Sequence, residues 1–183
     1  MDKKYESDQR LIKLARQGSS LGTVKGIKPD HISSVSLLSN NLGTYGDILI
    51  AFNASFWGID FGYPGHAGIV SNVSALTVES FPADGVQKHT NDWRGRTNVY
   101  ALSVKGASSS NYANAASYAE NQVGKSYNWW FINPWRDDAF YCSQLVWKAW
   151  KSQGIDVDYV TIDPIVTPIE IAKSGNTVIY YRA

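Results

Sequence analysis

Residues 140–150 read Phe140-Tyr141-Cys142-Ser143-Gln144-Leu145-Val146-Trp147-Lys148-Ala149-Trp150, "FYCSQLVWKAW", and hold the one cysteine of a 183-residue chain. The spacing predicts a helix over 142–154. Cys142, Leu145, Val146, Ala149 and Trp150 fall on one face, and Gly154 supplies a stop. Cys142 then sits in the first turn, where free backbone N–H groups and the positive end of the helix dipole stabilise a thiolate. The same N–H groups suit an oxyanion formed in acyl transfer. A plainer reading stands beside this one. Free Cys is among the most buried residue types, and Cys142 shares its face with Leu145 and Val146. A nucleophile needs a base within hydrogen-bond reach, and the base needs an orienting group.

Working outward, the base is sought among three His: His31, His66 and His89. His66 opens "HAGIV" (66–70), which has the composition of a strand. Strand alternation puts His66, Gly68 and Val70 on one face, so the imidazole is expected to have open space beside it. Glu79 lies in the next strand, "LTVESF" (76–81), on the face of Thr77 and Phe81. A hairpin pairing of these two strands brings Glu79 beside His66, where a carboxylate orients an imidazole and stabilises its charged form. The alternatives are a satisfied or surface His and an outward-facing Glu. His31 after "KPD" and His89 after "GVQK" are expected in solvent-facing loops.

Further strands are expected at 46–53, 66–73, 75–81, 98–104 and 177–182, each rich in Val, Ile, Tyr or Phe and bounded by turn residues. Helices are expected at 7–17, at 110–124 with Ser110 as cap, and near Thr167, where Thr167-Pro168-Ile169-Glu170 has the capping-box form. Strands that cluster before helices, with one strand last, indicate an antiparallel α+β domain. Residues 1–45 read as an N-terminal helix and Gly/Ser-rich connector, and 46–183 as the domain.

Several classes are excluded by totals. A chain with 44% hydrophobic and 18% charged residues is globular rather than disordered. A net charge of +1 without basic runs argues against a nucleic-acid partner. No apolar run approaches the ~20 residues that span a bilayer. The opening "MDKKYESDQRL" has no apolar stretch after its basic pair, so it is not a signal peptide; the protein is cytosolic or begins after a removed signal. One Cys forms no internal disulfide. No metal-ligand spacing, phosphate loop or dinucleotide fingerprint is present, so no metal and no cofactor is expected. The unusual feature is aromatic content, 13%, with seven Trp and eleven Tyr. "SYNWWFINPW" (126–135), with Trp129 and Trp130, could wall a substrate cleft beside Cys142, and "SFWGIDFGYPG" (55–65), with Tyr63, its opposite side. Core packing is the other reading of both.

Taken in order, "GDILI", "GHAGIV", "VES" and "YCSQLVWKAW" resemble the circularly permuted, YiiX-like branch of the NlpC-type, papain-like cysteine hydrolases. In that branch the His strand precedes the Cys helix. The likeness runs from about Gly46 to the C-terminus. The family's H-x-G-I-V falls on His66–Val70, its polar third member on Glu79, its Y-C-S-x-L-V on Tyr141–Val146, and its Gly-Asp entry on Gly46-Asp47. "GVQKHTNDW" (85–93) and "QVGKSYNWWF" (122–131) echo it, and Gln144 stands where the branch often has Glu. The resemblance implies a half-barrel sheet packed against the Cys helix. It implies that Cys142 attacks an amide, that His66 serves as base and then acid, and that Glu79 orients His66. The Cys142 N–H and the Tyr141 hydroxyl are then expected to stabilise the oxyanion. It further implies peptide or muropeptide substrates of the bacterial cell wall, an extracellular or envelope location, and a monomer. An acyltransferase or lipid-ester hydrolase with the same triad, and a catalytically silent binding module, are the alternatives.

Overall fold

The computed structural model describes residues 41–52, 55–56, 59–60 and 65–183. The expected helix at 7–17, His31, Tyr63 and nearly all of the 1–45 arm lie outside the described residues.

The frame is a six-stranded sheet. Its strands are β1 (Ile48–Ala51), β4 (His66–Val70), β5 (Leu76–Phe81), β6 (Gly85–Thr90), β7 (Val99–Val104) and β10 (Thr177–Arg182), in the order β10-β7-β1-β4-β5-β6. Every neighbouring pair is antiparallel. Two-residue strands β2 (Ser55–Phe56) and β3 (Ile59–Asp60) pair with each other, as do β8 (Ser126–Tyr127) and β9 (Ala139–Phe140). The helices are α1 (Ser109–Glu120), α2 (Cys142–Lys151) and α3 (Pro168–Lys173). The class is α+β, as the order of elements indicates.

Both faces of the sheet are buried. Ile48, Ile50, Ala67, Ile69, Val78 and Leu102 face the helices, against Tyr112 and Ala115 of α1 and Leu145, Val146 and Trp150 of α2. The rings of Tyr112 and Trp150 meet edge to face at 4.8 Å. Fully buried side chains of this size contribute about 1.5–3 kcal/mol each, so this layer is the main source of stability. The opposite face carries a smaller cluster that includes Leu49, Ala51, Val70, Trp93, Val99 and Tyr180. Residues paired across antiparallel strands share a face. The pairing of Ala51 with His66, and of Gly68 with Glu79, therefore puts His66 and Glu79 on this second side.

The entry to β1 explains the Gly-Asp pair. Gly46 has φ +79°, and a Cβ there would lie 2.4 Å from the Tyr112 carbonyl oxygen. Asp47 Oδ2 accepts the Thr44 N–H at 2.8 Å and the Tyr180 hydroxyl at 2.8 Å, which ties the turn to the last strand.

Three expectations need correction. The cap of α1 is Ser108, not Ser110. Ser108 Oγ accepts the Asn111 N–H at 3.2 Å, and Asn111 Oδ1 accepts the Ser108 N–H at 2.9 Å, so an Asn closes the capping box. Consequently α1 ends at Glu120, and Val123 lies beyond it, 38% exposed. Residues 85–90 are a strand, and His89 is in it. β6 pairs on one side only, so it tolerates Gln87, Lys88 and Thr90, whose polarity reads as a loop. His89 is half-buried, against the Phe81 ring at 5.0 Å and 3.9 Å from Asp84.

Candidate active site

α2 begins where the sheet ends. Tyr141 is its N-cap, in extended conformation. The Tyr141 N–H donates to Gln144 Oε1 at 3.1 Å, so Gln144 performs half of a capping box and leaves the Cys142 thiol uninvolved in capping. Cys142 meets His66 at the first residue of β4. The imidazole and the backbone N–H groups of Ala67 and Ser143 lie near enough to act electrostatically on its sulfur. Only 7% of Cys142 is exposed and none of His66.

The imidazole is held on all sides. Nε2 lies 2.9 Å from Glu79 Oε2. The Phe81 ring lies 4.4 Å away, and Trp93 stacks nearly parallel to the imidazole at 5.9 Å. The space expected beside His66 is therefore filled. A Cβ on Gly68 would lie 2.8 Å from Glu79 Cγ and 3.2 Å from Trp93 Cζ2. Glycine is needed there so that the Glu79 side chain can cross β4 and reach the imidazole.

Glu79 is fully buried and saturated with donors. Oε1 accepts from the Thr77 hydroxyl at 2.5 Å and the Trp93 indole N–H at 2.9 Å. Oε2 accepts from Arg96 Nη1 at 3.2 Å as well as from His66. Arg96 also bonds Asp92 Oδ1 through Nε at 2.8 Å and lies 4.2 Å over the Trp93 ring. These contacts hold the carboxylate in one orientation, so it holds the imidazole in turn.

The electrostatics follow. Burial opposes ionisation of Glu79, but hydrogen bonding and charge from His66, with Arg96 and Thr77, hold its carboxyl at about 2. Burial also opposes the charged imidazole, yet hydrogen bonds and opposite charge from Cys142 and Glu79 raise His66 above its ordinary value. Burial likewise opposes the thiolate, and the His66 hydrogen bond and charge, with the Ala67 and Ser143 N–H groups, depress the Cys142 pKa. The pair favours thiolate and imidazolium.

A substitution at Gly68 probes this packing. Gly68→Ala is expected to cost about 1–3 kcal/mol, because the methyl meets Glu79 and Trp93, neither of which is free to move. It also turns the carboxylate off His66 and slows Cys142 alkylation. Thermal unfolding and alkylation rates measure the two effects.

The other expected residues separate. The Tyr141 hydroxyl accepts the Val166 N–H at 3.1 Å and so fastens the approach to α3. Burial, and after it the negative charge of Cys142, raise the Tyr141 pKa. Tyr127, in β8 beside Phe140, was not singled out by pattern. Burial, then charge from Cys142 and Tyr141, raise its pKa. Tyr127 and Trp129 line an open groove of about 420 Å³ formed with residues 82–85 and 124–126. Trp130 does not line it and is 68% exposed. Gln144 is fully buried and donates to the carbonyls of Pro134 and Arg136 at 3.0 and 3.2 Å, holding the aromatic segment against α2. Thr77 was legible as a same-face neighbour of Glu79. Trp93 and Arg96 sit in "NDWRGRT", where no periodicity marks them.

With this geometry in view, comparison with known proteins is decisive at the level of family. Residues 46–167 match the model of the permuted papain-like amidases, the YaeF/YiiX or C92 family. The chain belongs to that family. The C92 match contains Cys142, His66 and Glu79 in permuted order. The uncharacterized protein YycO of Bacillus subtilis (strain 168) is 35% identical over 98 residues, 51% of this chain and 40% of YycO. The matched region thus spans well under half the length of that curated relative. The crystal structure of the metalloprotein YiiX from Escherichia coli O157:H7 superposes with a TM-score of 0.57 at 19% identity, over 76% of this chain and 97% of that one. That likeness shows the fold. Among the described residues of this C92 chain, no group of three or more His, Cys, Asp and Glu side chains converges as metal ligands. Among them, too, no helix is long and apolar enough to cross a membrane.

Proposed function

We propose that the protein is a cysteine amidase that cleaves an amide bond through Cys142, His66 and Glu79, with bacterial cell-wall peptides as substrate class. The observation that carries this reading is the fully buried His66–Glu79 contact at 2.9 Å, on the strand against which the Cys142 end of α2 packs. The Cys142 thiolate attacks the scissile carbonyl carbon, a C–S bond forms, and the carbonyl electron pair moves onto oxygen. In this reading the backbone N–H of Cys142 and the Tyr141 hydroxyl, which accepts the Val166 N–H, stabilise that oxyanion. The His66 imidazolium gives its proton to the leaving nitrogen as the C–N bond breaks. His66 then takes a proton from water, which attacks the thioester, and the C–S bond breaks to return the thiolate. Glu79 stays ionised throughout, as its depressed pKa requires.

A panel of muropeptides and acyl esters, run on the wild type and Cys142→Ala, tests the reading. Turnover of muropeptides by the wild type alone is expected. Turnover of esters and not of amides assigns the triad to lipid-ester chemistry instead.

A further inference from the structure

The segment 129–135, Trp-Trp-Phe-Ile-Asn-Pro-Trp, carries five exposed large hydrophobic side chains in seven residues. Trp129, Trp130, Ile132 and Trp135 are each more than 60% exposed, and Phe131 is 42% exposed. Monomeric proteins seldom leave such a run uncovered without use. The catalytic reading does not need these side chains, since only Trp129 lines the groove.

Two features of the segment point to a particular occupant. The first is its backbone. A loop that enters hydrocarbon must satisfy its polar main chain from within the protein. Here the Trp130 carbonyl accepts the Asn133 N–H at 2.9 Å, and the Trp130 N–H donates to Asn128 Oδ1 at 3.0 Å. The Asn133 carbonyl accepts from Asn128 Nδ2 at 3.1 Å, and the Pro134 carbonyl from Gln144 Nε2. The Trp135 carbonyl accepts from Lys148 Nζ at 2.8 Å. Asn128 and Gln144 are both fully buried, and Asn128 donates to Gln144 Oε1 at 2.9 Å. These bonds satisfy both main-chain groups of Trp130 and Asn133 and the carbonyls of Pro134 and Trp135 from within the protein, while the apolar side chains are exposed.

The second feature is the zoning of charge. No charged residue occurs in 129–135. At the base of the segment stand Lys125, Arg136, Asp137, Asp138 and Lys148, with Arg136 on Asp138 and Lys148 on Asp137. An apolar tip, Trp rings at its shoulders and charges only at the base follow the depth profile of a lipid–water interface. A sugar platform offers polar partners around its rings, and the exposed Ile132 does not fit one.

We propose that residues 129–135 dock the protein on a lipid surface. Trp130, Ile132 and Trp135 enter the headgroup–acyl boundary, and the charged base stays at headgroup level. Trp129 belongs to both the loop and the groove, and Phe131 packs on Tyr141 at 5.5 Å. Docking therefore sets Tyr141, the residue before Cys142, close to the bilayer. The docking itself does not rest on the catalytic reading. With Arg136 on Asp138 and Lys148 on Asp137, the base keeps one net positive charge from Lys125, so salt is expected to weaken the docking only slightly.

The test is flotation of the full chain with zwitterionic phosphatidylcholine vesicles at low and high salt. The wild type is expected to float at both, weakly and reversibly, as one inserted loop allows. Trp130→Ala combined with Trp135→Ala is expected to reduce the bound fraction by about tenfold, since the interface no longer covers two indoles. Both residues are exposed, so folding and Cys142 alkylation stay unchanged. Absence of wild-type flotation overturns the proposal, as does flotation that the double variant retains. Self-association in sedimentation, abolished by the double variant and unaccompanied by flotation, overturns it too and assigns the patch to a second copy.

Discussion

Cys142→Ala is expected to reduce amide hydrolysis by at least about 10³-fold while leaving the fold intact. Removing the sulfur removes the bond-forming atom, and His66 and Glu79 have no comparable nucleophile to activate. Only positioning and oxyanion stabilisation then remain. The same substitution costs little stability, because the side chain is small and sits at the edge of the larger core, against backbone N–H groups of Ala67 and Ser143. Measured kcat should fall with KM nearly constant, since the thiolate acts in the transition state more than in binding. A variant that keeps a tenth of wild-type turnover would move the chemistry away from Cys142.

Glu79→Ala has the largest expected effect on stability, about 3 kcal/mol or more. Four donors lose their acceptor in a fully buried place: His66 Nε2, the Thr77 hydroxyl, the Trp93 indole and the Arg96 guanidinium. Arg96 keeps Asp92, but 5% of its side chain is exposed, so little water can replace the lost partner. For a domain whose net stability is of order 5–15 kcal/mol, that loss is a large fraction. Glu79→Gln preserves the volume and presents an amide N–H to donors on one side. It should fold, with smaller destabilisation and slower Cys142 alkylation, which separates orientation of His66 from support of the fold. Because the Glu79 pKa is depressed to about 2, its contribution is complete above the ordinary glutamate value of about 4.3. It is lost as pH falls through the folded value. Acid unfolding of the wild type, followed against Glu79→Gln, checks the sign.

The legible parts of this molecule were those with a period. Alternation in "HAGIV" and "LTVESF" placed His66 and Glu79 on facing positions of a hairpin, and the register of Gly68 with Glu79 realises that pairing. Helical spacing placed Cys142 at the start of α2. Polar edge strand β6 was missed because a strand paired on one side needs no apolar alternation. The partners Trp93 and Arg96 come from a 3-10 turn and the residue after it, where a side chain's direction depends on tertiary packing. Gly68 was read as open space, whereas it is room for the Glu79 side chain; a single strand's pattern cannot show what crosses it. The exposed Trp129 and Trp130 read equally as core, because composition alone does not tell an inward ring from an outward one.

The most direct test is the rate of Cys142 alkylation by iodoacetamide against pH, in the folded wild type and His66→Ala. A thiolate paired with imidazolium is reactive well below the free cysteine range near 8.5, and reactivity falls only as pH drops through the depressed value. Without His66 only the Ala67 and Ser143 N–H groups offset burial, and the titration should move up from its wild-type position. Wild-type reactivity that titrates near or above 8.5, unchanged by His66→Ala, would contradict the triad.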